Sequence, residues 1–302
     1  MPLAGLLPAI PAQAAGFDCA KAVSPTERTI CADPVLSAAD DALSAAYRAA
    51  WAVDLDHVTL RDDQLRWLAQ RDRTTELEPL YRRRIAALQQ IAEQWRALPA
   101  VAGLDALRHD CYTTPDHERD ETCRVEASGE VAGRPSLAYQ IQGVFDDDIR
   151  ITGVALVFGR PADAAGPWRP VAATGDGGAH YQPPLLVRIA GRTILWIPGS
   201  LEGTGHFNAE RLYEVGADGT LQDIDTDTWQ RDFAGRLPEG LTALKGIYPD
   251  YATMTAETPL WAPGDANCCA TGGRAAIRLA LRGHALIIAR LALRLGRGGA
   301  AE

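Results

Sequence analysis

The chain has 302 residues, of which 47% are hydrophobic and 23% are charged, and its formal net charge at pH 7 is −9. This composition is typical of a globular protein and argues against a disordered or fibrous one. The length favours two domains over one. The negative charge argues against a nucleic-acid partner, because such binding needs a basic surface that displaces counterions. It favours a basic protein partner.

Residues 1–15 predict export. This stretch, MPLAGLLPAIPAQAA, is apolar and uncharged, and its A-x-A pattern at 12–14 resembles a signal-peptide cleavage site. A basic start is missing, so either the true start lies upstream of the printed one or export is inefficient. We expect the first, because the apolar stretch and the cleavage pattern are otherwise intact. No cysteine follows the cleavage pattern directly, which argues against a lipoprotein anchor. No other apolar run reaches the roughly 18 residues that a membrane span needs. The sequence therefore predicts a periplasmic or secreted protein with no membrane span.

Six cysteines in an exported chain indicate three disulfides. Six cysteines allow about 15 pairings, and the sequence does not choose among them. Local pairing is the simplest expectation, with Cys19 bonded to Cys31 and Cys111 bonded to Cys123. Each of these bonds would close a short loop.

Cys268 and Cys269 are adjacent, and two interpretations of them stay open. They either bond to each other through an eight-membered ring, or do not, in which case one or both pair elsewhere or simply fix a turn at residues 264–267. The sequence favours the second interpretation, because ring closure between neighbours is strained. A redox role is disfavoured. No histidine lies at ligand spacing from the pair, so no metal site is expected there.

The first domain is predicted to be a disulfide-stapled helical hairpin. Ser24, Pro25 and Glu27 have the pattern of a capping box with proline at the first helical position. Apolar residues at intervals of three and four predict one helix from about Pro34 to Val53. A second apolar pattern extends from residue 65 to 95. Its Pro79 predicts either a break near 74–78 or a new helix with this proline in its first turn.

Three blocks of this domain, FDCAKA (17–22), ICADPVL (30–36) and LRWLAQRD (65–72), are similar to the N-terminal domain of LprI-type lysozyme inhibitors. The resemblance covers residues 16–98 and implies a helical, disulfide-bearing domain that inhibits lysozyme. Family members often carry a second cysteine pair after the Arg-Asp element. Residues 73–78 have no cysteine here, so a function that depends on that loop is in doubt.

Trp67, Arg71 and Asp72 are the candidate binding residues of the helical domain. The alternative, for these residues and for the arginines at 66 and 82–84 that could extend a binding face, is a solvated helix face with local ion pairs, in which Trp67 belongs to the core. Gln64, Trp67 and Arg71 share one helix face. They therefore also fit a polar network that supports the hairpin.

Residues 98–103 are the predicted linker, and residues 104–295 are predicted to form a mainly antiparallel β domain of unknown role. One short helix is expected near 229–236, which makes the fold class α+β. The predicted strands are 136–144, 149–158, 185–190, 193–197, 210–215, 275–281 and 285–291. Turns are expected at 217–219 and at Arg282-Gly283.

His206 is the candidate binding residue of the β domain, since the glycine-rich segment 203–207 would place it in a cleft or in a partner's groove. A plain turn is the favoured alternative. The acidic repeat at 223, 225 and 227 lacks the glycine and the glutamate of a calcium loop. We interpret it as a solvated strand edge, and we expect neither a metal nor a cofactor.

The sequence contains none of the common catalytic motifs, and its histidines are scattered singly. We therefore expect a binding protein and not an enzyme. The first hypothesis is inhibition of a lysozyme-type muramidase by occlusion of its cleft, where two carboxylates act. The second is a non-inhibitory envelope module that binds another basic envelope protein or a glycan. The third is a hydrolase in the β domain, which requires a cleft with convergent polar groups.

Overall fold

The computed structural model describes residues 16–115, 122–160 and 166–296. They fall into two compact units, one ending at Leu98 and the other beginning at Pro99. The first unit is helical and the second is mainly antiparallel β, so the predicted α+β class is confirmed. The predicted signal peptide lies outside the described residues. Within those residues, no helix is both long enough and apolar enough to cross a membrane.

The helical unit begins with a short 3-10 helix that leads into a series of α-helices. The bounds are Cys19–Lys21 for the 3-10 helix, Pro25–Ala32 for α1, Pro34–Trp51 for α2, His57–Arg71 for α3 and Leu77–Arg96 for α4. The capping box of α1 is present, since the backbone N–H of Glu27 donates to the hydroxyl of Ser24 at 3.0 Å. The helical pattern is interrupted between Arg71 and Leu77, close to the predicted break, and Pro79 is the third residue of the new helix α4.

The core of the helical unit is built from the apolar stripes of α2 and α4. Leu43 and Ala50 of α2 are buried against Leu80 and Leu88 of α4. Leu65, in contrast, is 56% exposed, although the second apolar pattern included it. The amphipathic spacing therefore placed most of the buried face and failed at Leu65, in the middle of α3.

Among the described residues, the second unit contains two short helices and thirteen strands. The helices are α5 (Ala106–His109) and α6 (Asp227–Gly235). The strands are β1 (Cys123–Val131), β2 (Arg134–Asp146), β3 (Ile149–Gly159), β4 (Arg169–Gly177), β5 (Ala179–Tyr181), β6 (Leu185–Ile189), β7 (Arg192–Ile197), β8 (Gly199–Leu201), β9 (Arg211–Val215), β10 (Leu221–Ile224), β11 (Thr255–Leu260), β12 (Gly273–Arg282) and β13 (Ala285–Leu295).

These strands form antiparallel sheets. The orders are β1-β2-β3-β4, β10-β9-β7-β6, β11-β12-β13 and a two-stranded β5-β8. Each predicted strand lies within or beside an observed one, and the short helix is observed as α6. Val101 of the predicted linker pairs with Trp168, so part of that segment belongs to the β unit.

The sheet β10-β9-β7-β6 lies in the middle of the unit because both of its faces are buried. Leu195 and Tyr213 belong to a core shared with the first sheet. Ile194 and Leu212, their neighbours in sequence, belong to a core shared with α6 and the third sheet. Side chains alternate across a strand, so a strand that is buried on both faces needs a continuous apolar run. The segment at 194–197, ILWI, is such a run.

The structure contains three disulfides, Cys19–Cys31, Cys111–Cys123 and Cys268–Cys269. The two local pairings are confirmed. The favoured interpretation of the adjacent cysteines, that they do not bond to each other, is wrong. The turn at 264–267 is instead fixed by Asp265, whose carboxylate accepts the backbone N–H groups of Ala262 and Thr271.

The double substitution Cys19→Ser and Cys31→Ser should lower the free energy of unfolding of the helical unit by about 3 kcal/mol, because the bond restricts the unfolded chain. Denaturant unfolding of the full chain, followed by far-UV circular dichroism, measures this change. The matched control is Cys111→Ser with Cys123→Ser, which has the same sequence separation of 12 in the other unit. A helical transition that moves equally in both variants would contradict the assignment.

Candidate functional site

A buried polar cluster joins α2, α3 and α4 in the helical unit. The hydroxyl of Tyr81 donates to Oδ1 of Asp40 at 2.6 Å, and both residues are buried. Burial, reinforced by this carboxylate, raises the pKa of Tyr81. Arg71 interacts with Tyr81 and with Asp72, whose Oδ1 lies 2.9 Å from Nη2 of the arginine. Trp67 packs edge-on against Tyr81 with the ring centroids 5.1 Å apart.

A second polar cluster links α3 to α4. Arg84 donates through Nε and Nη2 to Oε1 of Gln64, at 3.0 and 2.9 Å, and it also pairs with Asp63. Arg84 is only 8% exposed, although its position in an arginine run suggested a solvated face. Gln64 does support the hairpin, and it does so through Arg84.

The three predicted binding residues of the helical unit differ in how exposed they are. Trp67 and Arg71 are 6% and 7% exposed and lie in the interior. The side chain of Asp72 is 46% exposed at the end of α3. The burial of Trp67 and Arg71 favours the structural alternative for both. Asp72 alone is accessible to a partner.

The β unit contains a cleft of about 420 Å³. It is formed by β5, β7 and β8, by the segment that precedes β9, and by residues 248–249. The volume falls within the roughly 300–1,000 Å³ of small-ligand sites. Its lining residues are His180, Gln182, Trp196, Pro198, Gly199, Ser200, His206, Glu210, Tyr248 and Pro249.

Glu210 is the buried acid of this cleft, with 2% of its surface exposed. Its carboxylate accepts Nε1–H of Trp196 at 3.0 Å and the amide of Asn208 at 3.3 Å. Burial raises the pKa of Glu210, although these donors and Tyr251 oppose the shift. Burial and the charge of Glu210 also raise the pKa of Tyr251. The carboxylate has lone pairs beyond those its protein donors use, so it can still accept from a ligand.

His206 lies at the rim of the same cleft, in a segment whose backbone accepts hydrogen bonds from Gly246 and Tyr248. Its φ of 42° is in the left-handed region, which is uncommon for residues other than glycine. The hydroxyl of Tyr248 donates to the carbonyl of His206, and the N–H of Gly246 donates to the carbonyl of Gly205 at 2.8 Å. A Cβ on Gly246 would lie 2.1 Å from the carbonyl oxygen of His206, so only glycine allows this approach.

His180 occupies another part of the rim. Its Nε2 lies 2.7 Å from Oε1 of Glu202, and both side chains are nearly half exposed. Together with Ser200 and Gln182, His180 gives the cleft groups that donate and groups that accept. Trp196 and Tyr248 add aromatic surface. The cleft is therefore suited to a neutral ligand with several hydroxyl or amide groups.

The structure brings His206 together with residues that the sequence did not single out, namely Glu210, Trp196, Tyr248 and His180. They come from distant segments. An acidic residue at the start of an apolar strand, as Glu210 is, was the only local signal.

Asp225, in the acidic repeat, accepts the backbone N–H groups of Asp227 at 2.8 Å and Thr228 at 2.9 Å. It thereby caps the start of α6. The solvated strand edge predicted for this repeat is wrong at Asp225. Among the described residues, no group of three or more His, Cys, Asp or Glu side chains is arranged to hold a metal.

Comparison with models of known protein families and with curated proteins found no match to this chain.

Glu210→Gln should change how stability depends on pH. The folded-state pKa of Glu210 lies above its ordinary value of 4.5, so the folded protein holds this proton more tightly and stability is lost as pH rises through the folded-state value. Glutamine does not ionise. The free energy of unfolding of the variant, relative to the parent, should therefore rise with pH over this range.

Urea unfolding at a series of pH values measures this difference. Gln182→Ala is the matched control, since it alters the same cleft without a titratable group, and its difference from the parent should not vary with pH. A difference for Glu210→Gln that falls with pH would contradict the assignment.

Proposed function

We propose that the chain is an exported binding protein whose helical unit inhibits a lysozyme-type muramidase by occluding its cleft. The proposal rests chiefly on the resemblance of residues 16–98 to LprI-type inhibitors. The supporting observation is that this stretch corresponds to a separate compact unit that ends at Leu98 and carries its own disulfide. Three disulfides are also compatible with an extracytoplasmic location.

Exposed arginines of the helical unit provide the contact chemistry. Arg66, Arg73, Arg82 and Arg83 are exposed on α3, on α4 and between them. A muramidase cleft presents two carboxylates, and guanidinium groups pair with carboxylates in a bidentate manner. Arg73 and Arg83 have no acidic partner among the described residues, so a partner's acid can pair with them without breaking an existing ion pair.

The β unit adds electrostatic steering. Residues 16–98 contain 13 acidic and 11 basic residues, so most of the net charge of −9 lies elsewhere in the chain. A basic muramidase would therefore be attracted mainly by the β unit. Long-range attraction of this kind raises the association rate and weakens with salt.

The test is a cell-wall lysis assay with a basic lysozyme, combined with surface-binding kinetics of the full chain. Arg73→Glu with Arg83→Glu should speed dissociation at least about 10-fold, because the new carboxylates would face the carboxylates of the muramidase cleft. Arg71→Met is the control for a buried arginine. It should lower the free energy of unfolding and leave the dissociation rate of the folded protein unchanged.

The same experiment separates the two units. Residues 16–98 expressed alone should still bind the lysozyme, but they should associate with it more slowly than the full chain does. The difference between the two association rates should shrink above about 0.15 M salt. If residues 99–302 bind as well as the whole chain, or if no lysozyme tried is bound, the inhibitor proposal fails.

A second function, binding of a neutral saccharide in the β unit, is favoured by the cleft around Glu210. Glu210 offers a buried acceptor, and Trp196 and Tyr248 offer aromatic surface. This is the glycan-binding form of the envelope-module hypothesis. The cleft also has the convergent polar groups that a hydrolase requires, but in the described part of the chain no second acid lines it together with Glu210.

Titration of the full chain with cellobiose and with diacetylchitobiose, followed by tryptophan fluorescence and calorimetry, tests this second function. His206→Asn should weaken saccharide binding by roughly 10-fold, which is the loss of about one hydrogen bond. Asparagine tolerates the left-handed backbone at this position. His284→Asn, outside the cleft, is the matched control. Equal affinities of the two variants, or no saturable binding, would rule the cleft out.

A further inference from the structure

The outer face of the sheet β11-β12-β13 carries arginines at regular positions. Along β12, Ala275 and Ile277 are buried, whereas Arg274, Ala276 and Arg278 are exposed. The buried side belongs to the core that α6 also enters. The exposed side is therefore the opposite face of the sheet, away from α6.

The register between β12 and β13 places these arginines opposite other arginines. The directly opposed residues are Arg274 and Arg294, Ala276 and Ala292, and Arg278 and Arg290. Opposed side chains in an antiparallel pair have Cβ atoms about 4.5–5.5 Å apart, and like charges in this position destabilise a sheet. Two such pairs, about 13 Å apart along the strands, therefore concentrate positive charge at some cost to the fold.

The charge of this face is largely uncompensated. Arg274 lies 3.5 Å from Glu257, and both are exposed. Arg278, Arg290 and Arg294 have no acidic partner or hydrogen-bond acceptor among the residues that the structure describes. The local sequence is also basic, since residues 255–296 contain five arginines and two acidic residues in a chain of net charge −9.

The face is concave between the two arginine pairs. Two adjoining depressions of about 340 and 110 Å³ share Glu257, Ala276 and Ala292. The small alanine side chains form the floor, with Arg278 and Arg290 at one end and Arg274 and Arg294 at the other. We call this feature the arginine groove. Among the residues that the structure describes, no aromatic side chain lines it.

We propose that the arginine groove binds a linear phosphate polyanion that carries no bases, of which inorganic polyphosphate is the simplest example. Guanidinium groups recognise phosphate oxygens in a bidentate manner, and two pairs in line match a ligand with repeated charges. Phosphate polymers supply high charge density along their length. Single-stranded nucleic acids rely on aromatic side chains on which their bases stack, and the groove has none.

The test is calorimetric titration of the full, oxidised chain with medium-chain inorganic polyphosphate at several salt concentrations. The logarithm of the affinity should fall with the logarithm of salt with a slope of roughly −2 to −3, as expected for three to four neutralised charges. Arg278→Gln with Arg290→Gln should weaken binding at least about 10-fold and reduce the magnitude of the slope by about 1.4, because two charges are removed. Lysine at the same two positions should give an intermediate affinity, since it keeps the charge and loses the bidentate geometry.

Two controls keep the result interpretable. Arg231→Gln with Arg236→Gln, on α6 and at its C-cap, removes the same charge from the other side of the sheet and should leave polyphosphate binding unchanged. We call Arg278→Gln with Arg290→Gln the groove variant. Without ligand it should melt at the same temperature as the parent or at a higher one, because it removes the repulsion between two opposed arginines. Reduced binding together with a lowered melting temperature would count against the groove.

Other outcomes would overturn the proposal. Equal loss of affinity in the groove and α6 variants would mean that only net charge matters. Equally tight binding of polygalacturonate would show that phosphate is not preferred, and equally tight binding of oligothymidylate would show that bases are accepted. A concentration-dependent dimer that the groove variant abolishes would assign this face to a second copy of the chain.

Discussion

A carboxylate can be buried at moderate cost only where donors surround it, and this requirement shapes the interior of both units. In the helical unit, Asp40 of α2 accepts the hydroxyl of Tyr81 of α4, so the two helices are joined through a polar contact inside an apolar core. In the β unit, Glu210 accepts Trp196 and Asn208, and Asn208 also bonds both backbone groups of Ile247. The segments that these donors hold in place are the walls of the cleft.

Much of the fold could be predicted because its signals are local. Caps, prolines and a short disulfide loop lie within a few residues of one another, and central strands that are buried on both faces need continuous apolar runs. Six strands were missed, β1, β4, β5, β8, β10 and β11, and each is at the edge of its sheet. An edge strand has one neighbour and one exposed flank, so it tolerates polar and proline residues such as Pro259 that hide it in a sequence.

The candidate sites were harder to predict because their residues meet only in the folded chain. His206 was found through its glycine-rich segment. Trp196 and Tyr248 gave no local signal, and Glu210 gave only its position at the start of an apolar strand, since the cleft assembles these residues from separate strands and loops. Arg71 and Arg84 show the opposite error. A sequence marks arginine as exposed, and only tertiary contacts reveal that Asp72 and Gln64 compensate for its burial.

Net charge bears on long-range attraction, and it says little about which charges lie together on the surface. Beyond a Debye length of about 8 Å at physiological salt, a partner experiences mainly the summed charge, which is negative here. At contact it experiences the nearest side chains. Strand alternation gathers exposed arginines on one face of the third sheet, and the register of β12 with β13 doubles their density. An acidic chain can thus carry a basic site, because the period of two in a β-strand sorts charges by face while composition counts them together.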